Sequence, residues 1–277
     1  MSHVSESLEE SGTAPGPPAE ERADLLVVEG IGVGFGGVTA LRDLSFSVAE
    51  GTVHALIGPN GAGKTTAFNC ITRTQRPQSG QIRYRDLSLL RVPPARLPKL
   101  GIMRTFQHPQ LCPSLTVIEN VLLGHHSRTE VGWLPWITRS PGARREERAA
   151  TEEGYEILRA LDLADLAEHE ADRLPYAALK RVELARALMG RPRLLLLDEP
   201  AAGLTTEDVE RFGDTLLRLN REQGITILVI EHNLTFVGRL ADTVTVLVDG
   251  HVVAEGTLAE VREIPIVREA FLGKVRG

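Results

Sequence analysis

A glycine-rich run closed by a lysine and two threonines, Gly58-Pro59-Asn60-Gly61-Ala62-Gly63-Lys64-Thr65-Thr66, carries the clearest chemistry in this 277-residue sequence. It fits the pattern GxxxxGK(S/T) in full. A nucleoside triphosphate is a crowded polyanion. A loop that binds one needs main-chain N–H groups aimed inward, no Cβ atoms in the way and a helix N-terminus behind them. Gly58, Gly61 and Gly63 clear the way, Lys64 would pair with the β- and γ-phosphates, and the Thr65 hydroxyl would ligate Mg²⁺. A second constellation is Leu194–Leu197 followed by Asp198 and Glu199. A buried strand would carry Asp198 to the mouth of the same site to hold the Mg²⁺ shell, and Glu199 would orient or deprotonate the attacking water. His232 follows the apolar run Ile225–Ile230 and Glu231, at a strand end where ligands gather in parallel sheets. Gln107, after Met103-Arg104-Thr105-Phe106, adds one amide, a weak sign by itself.

These residues need elements to position them. Short apolar runs at 25–28, 44–48 and 53–57, broken by turns that contain glycine, predict strands. The stretch from Lys64 to about Thr72 has helical spacing, so the glycine-rich loop has the strand before it and the helix after it that a phosphate loop requires. A second block of strands is predicted at 194–197, 225–230, 244–248 and 252–255, the last two joined through Asp249-Gly250, a hairpin signal. Between the blocks, from about Leu111 to Met189, helical patterns dominate. Thr116 and Glu119 offer a capping box, and Arg144 to Leu163 reads as a long amphipathic helix. No internal repeat is visible, so the reading is one nucleotide-binding core interrupted by a helical subdomain.

Composition narrows the function classes. A formal net charge of -6 argues against a bulk electrostatic partnership with nucleic acid. Cys70 and Cys112 stand far apart without metal-ligand or disulfide spacing and fit a reducing compartment. Residues 1–24, rich in Ser, Glu, Gly and Pro, lack an apolar core segment and read as a disordered acidic tail rather than a signal peptide. No uncharged apolar run approaches the roughly 20 residues that cross a bilayer, so any membrane crossing would fall to other subunits.

Taken in order, the glycine-rich loop, Gln107, the helical region, Asp198-Glu199 and His232 resemble the nucleotide-binding domain of an ABC transporter. The segments Arg104-Thr-Phe-Gln107-His, Leu115-Thr-Val-Ile-Glu-Asn120-Val, Leu197-Asp-Glu-Pro-Ala-Ala-Gly203-Leu and Ile230-Glu-His232-Asn are similar to the branched-chain amino acid (LivG-type) family. The insertion near 132–145 points the same way. The resemblance implies an α/β fold: a RecA-like P-loop NTPase core with an antiparallel β subdomain over 25–277 and an inserted helical subdomain at about 111–189. It implies that Phe35 stacks on adenine, that Gln107 couples the Mg²⁺ site to the helical subdomain, and that His232 senses the γ-phosphate. It also implies ATP hydrolysis at the cytoplasmic face of the membrane, powering import of branched-chain or related amino acids. The implied partners are two transmembrane permease subunits, a second ATPase paired head to tail, and, indirectly, an extracytoplasmic solute-binding protein.

One segment departs from the family pattern. Where Leu-Ser-Gly-Gly-Gln or Leu-Ala-Tyr-Gly-Gln is expected, this chain has Leu174-Pro175-Tyr176-Ala177-Ala178. Pro175 removes a hydroxyl and a main-chain N–H that could bond a partner's γ-phosphate, and Ala177 adds a Cβ where close approach matters. Thr205 also stands where many members have Asp. These changes suggest unequal ATP sites in a heterodimer. The rival readings are an ABC ATPase of DNA repair or translation, against which length and charge argue, and a regulatory nucleotide-binding module, which would need neither Glu199 nor His232.

Overall fold

The computed structural model describes residues 22–126 and 141–272. Nearly all of the expected acidic tail and most of the expected insertion near 132–145 lie outside the described residues. Among the described residues, two sheets carry the fold. The first is antiparallel, in the order β2-β1-β4-β5, built from β1 (Asp24–Phe35), β2 (Val38–Ala49), β4 (Ser79–Tyr84) and the short β5 (Leu87–Ser88). The second has the order β10-β9-β3-β8-β7-β6. Its strands β3 (Val53–Ile57), β6 (Ile102–Arg104), β7 (Leu194–Asp198), β8 (Thr226–Ile230) and β9 (Thr243–Val248) run parallel, and β10 (His251–Gly256) returns antiparallel. Parallel strands covered on both faces are largely apolar, and β3, β7 and β8 are buried at every position.

The helices are α1 (Lys64–Ile71), α2 (Val117–His126), α3 (Pro141–Ala160), α4 (Tyr176–Met189), α5 (Thr206–Gln223), α6 (Leu234–Leu240), α7 (Leu258–Glu263) and α8 (Pro265–Leu272). Among the described residues, none is long and apolar enough to cross a membrane. One core lies between the two sheets around α1, with Phe68, Ile71, Leu56 and Leu196 in it; the other joins the opposite face of the parallel sheet to α2, α4 and α5. Burying a side chain such as Phe68 or Leu196 contributes about 1.5–3 kcal/mol, so the core on each face fixes the strand ends that carry the site.

Local chemistry accounts for most boundaries. Thr116 and Glu119 exchange the hydrogen bonds of a capping box, at 3.3 and 2.8 Å, where α2 begins. Asp249 and Gly250 both take positive φ, as a tight hairpin between β9 and β10 requires. The amphipathic helix expected over 144–163 spans Pro141–Ala160 instead. Proline suits the first helical position, and Asp162 sits at φ 55°, outside helical geometry. Strands β4 and β6 were not expected from the sequence.

His54 on β3 is buried in the parallel sheet, with Nε2 donating to Thr245 Oγ1 (2.8 Å) while that hydroxyl donates to Glu255 (2.8 Å). Burial pushes its pKa down to about 4 from 6.5. The native state therefore binds fewer protons than the unfolded chain below pH 6.5. Stability from this group is present above that value and is lost as pH falls toward 4. The expected loss is about 3 kcal/mol between pH 7 and 4. Urea unfolding at the two pH values checks it, and His54→Gln should remove that part of the slope.

Candidate functional site

The site forms where β3, β7 and β8 end side by side. β3 delivers Gly58, which is wedged against the end of β9: a Cβ there would lie 2.0 Å from the carbonyl oxygen of Leu247. Gly63 is equally confined, since its Cβ would lie 2.5 Å from the carbonyl oxygen of Ala40. Gly61, at φ 82°, faces open space, so the inner wall of the loop stays clear for a ligand. Pro59, Asn60 and Ala62 complete the loop, with Ala62 accepting from the Gly250 main chain at 3.1 Å. This arrangement is a cradle that side chains would fill, and it fits a polyphosphate.

Lys64 begins α1 and folds back over the loop, with Nζ donating to the carbonyls of Gly58 (2.8 Å) and Pro59 (2.9 Å). An ammonium has three donors, so a third remains for phosphate. Burial lowers the Lys64 pKa, while Glu199 and Asp198 act against that shift. Thr65 is exposed and Thr66 half-buried on the first turn of α1, beside Lys64.

Asp198 ends β7 and Glu199 leaves it in the left-handed region, at φ 48°. That conformation is held by main-chain bonds: Glu199 N donates to Ile230 (3.0 Å), and Lys180 Nζ donates to the Glu199 carbonyl (3.0 Å). The strain, of order 1 kcal/mol, aims the carboxylate out of the sheet. There Glu199 Oε2 accepts from Gln107 Nε2 at 2.8 Å and lies 3.9 Å from His232 Nδ1. Gln107, Lys64, Asp198, Glu199 and His232 thus come together from four separate segments.

Phe35 is placed less directly. It pairs with Val38 at the tip of the β1–β2 hairpin, two residues before Ala40, whose carbonyl lies against Gly63. Half of its surface is exposed, so the ring is free to stack on a flat ligand next to the loop.

Mg²⁺ needs only one or two protein carboxylates when phosphate oxygens and water complete its octahedron. Asp198 with the Thr65 hydroxyl and the Gln107 amide could supply such a shell. Asp198, however, already accepts from Arg104 at 2.7 Å in a pair that is about nine-tenths buried on both sides. Arg104 also donates to Asn69 Oδ1 (2.8 Å) and Thr72 Oγ1 (3.2 Å) and lies over the rings of Phe68 and Phe106. Arg104 takes Oδ2 of Asp198, so a metal-bound water would have to be held through Oδ1. Arg104 has no role legible in the sequence, because no local spacing betrays an arginine whose partners sit at α1 and β7.

The segment 174–178 lies against the same site. Pro175 caps α4 without a side-chain bond, the Tyr176 ring packs on Gly203, and its hydroxyl donates to the Gln107 carbonyl at 3.2 Å. Thr205 caps α5, accepting from Asp208 N at 3.2 Å, a task that Asp also performs.

A family profile described as ABC transporter matches residues 41–202. The high-affinity branched-chain amino acid transport ATP-binding protein BraF of Pseudomonas aeruginosa is 36% identical over 250 residues, covering 90% of this chain and 98% of BraF. LivG of Escherichia coli K12, of the same description, matches at the same identity and coverage. The ADP conformation of MJ1267, an ATP-binding cassette of an ABC transporter, superposes with a TM-score of 0.79 at 34% identity, covering 91% of this chain and 100% of that one. A phosphate loop in this setting, with likeness running over nine-tenths of the sequence, means that the chain belongs to the ABC transporter family as one of its ATP-binding cassettes.

Proposed function

We propose that this cassette hydrolyses ATP to drive an importer of branched-chain or related amino acids, from the cytoplasmic face of the membrane. The observation that carries the hydrolytic part is the meeting of Glu199 with Gln107 and His232 at the mouth of the phosphate loop. A module that only bound nucleotide would have no use for a strained carboxylate aimed at that point. BraF and LivG, described as branched-chain amino acid transport proteins, support the solute class. The site residues do not, because they face nucleotide.

In this reading the loop amides of 58–66 and Lys64 hold the β- and γ-phosphates, and Phe35 stacks on the adenine. Thr65, Asp198 and Gln107 would hold Mg²⁺, which would supply positive charge against the phosphate oxygens. Glu199 accepts the proton of the attacking water, and His232 donates a hydrogen bond to the γ-phosphate. Two permease subunits and a second ATPase complete the assembly, the latter covering this chain's nucleotide with its own counterpart of segment 174–178. The folded domain is taken as 25–277, with the helical subdomain at about 111–189.

ATPase rates of the full chain alone and in the assembled transporter test this. Activity should be low alone, rise about 10-fold or more with the membrane subunits, and rise again with a leucine-loaded binding protein. A rate unchanged by the membrane subunits would favour a free-standing ATPase, and stimulation by a different solute would replace the amino acid assignment.

A further inference from the structure

We propose that Glu231 is a positioning residue for hydrolysis: one buried carboxylate that holds the loops bearing Glu199 and His232 at a fixed separation. The proposal rests on the reading that those two side chains act on the nucleotide.

Glu231 follows the wholly buried strand β8 and has no exposed surface. A carboxylate in that position costs several kcal/mol unless its oxygens are fully hydrogen-bonded. Here main-chain N–H groups from two different loops satisfy it. Oε1 accepts from Ala201 at 2.7 Å, two residues beyond Glu199. Oε2 accepts from His232 at 3.0 Å and Asn233 at 3.2 Å. The far side of each loop is anchored as well. Asn233 caps α6 through Thr235 and Phe236, both at 3.1 Å, and Lys180, which feels the negative charge of Glu231, donates to the Glu199 carbonyl. With the main chain locked on both sides, the His232 side chain is left 55% exposed over the site.

A space-filling role at this position would suit an apolar residue or a hydroxyl. What a glutamate adds is a rigid plane with acceptors at both ends, so a shift of either loop is felt by the other. Groups that act together on a reacting phosphate must be held within about 0.5 Å, and misplacement by 1 Å can cost 10²-fold in rate. Replacing Glu231 by glutamine preserves size, yet turns one oxygen into an NH₂ that must face either Ala201 N–H or the His232–Asn233 pair. Either way one loop is released.

The test uses the full chain for ATP affinity and the assembled transporter for turnover. Glu231→Gln should lower kcat roughly 10- to 100-fold, with KM and the Kd for ATP within about 3-fold of the unmodified protein. Glu231→Asp keeps the charge but is shorter by about one carbon–carbon bond, ~1.5 Å, so it cannot span both loops and should show the same split. Wild-type kcat in either variant overturns the proposal, as does a Kd or folded fraction that falls as far as kcat, which would mark a general role in the fold. Glu199→Gln is the control. If that variant keeps turning over, the reading of the site itself fails; if it stops while both Glu231 variants keep their rate, only the positioning role fails.

Discussion

Glu199→Gln is expected to cut ATP turnover of the assembled transporter about 10²-fold or more, within the range for loss of a general base, while ATP still binds. The same exchange in the partner ATPase should cost far less. In the proposed head-to-tail pair, the difference would come from the segment that each chain offers to the other's nucleotide. In this chain α4 opens on Pro175, which has no N–H, with no side-chain capping bond at the helix start. Ala177 follows where the family has a glycine. A charge-assisted hydrogen bond to phosphate contributes roughly 1.5–3 kcal/mol, so losing two slows the partner's site by two or more orders of magnitude. In the proposed heterodimer, the site made by this chain's own loop, Asp198, Glu199 and His232, finished by an intact partner segment, would then carry most of the flux. Steady-state ATPase rates of the two single variants measure this directly. Equal losses from both would remove the asymmetry and leave two working sites.

The phosphate loop was legible because its demands are local: glycines to clear space, then a lysine and a hydroxyl at a helix start. Asp198 and Glu199 could be read for the same reason, as acids at the end of an apolar run. So could the hairpin at Asp249-Gly250, where two positive φ values call for particular residues. Pairing over long range was not legible. β6 is three residues long and exists through its register with β7, Ile102 opposite Leu194, which no pattern within 102–104 announces. The positive φ of Glu199 depends on Lys180 and Ile230, both distant in sequence. Glu231 looked like a flank of His232, since a carboxylate that accepts from two loops reads, in sequence, like any exposed acid.

Arg104 is the sharpest case, and its removal should be among the most damaging single changes to the fold. Arg104→Met leaves Asp198 with its charge buried and its partner gone. Breaking a buried pair in this way costs about 3–5 kcal/mol, much of it the desolvated survivor rather than the lost attraction. The guanidinium also joins α1, through Asn69 and Thr72, to the end of β7, so its loss loosens the helix behind the phosphate loop from the strand that carries the acids. Lysine restores a charge but cannot reach all three partners with one ammonium, so Arg104→Lys should recover only part of the loss. Neutralising the survivor gives the decisive comparison. If the penalty is an unpaired carboxylate, Asp198→Asn in the Arg104→Met background should raise the urea midpoint, although Asp198→Asn alone lowers it. Additive losses in the double variant would mean that Arg104 serves the fold through Asn69, Thr72 and the two phenylalanine rings, and that Asp198 stands without its help.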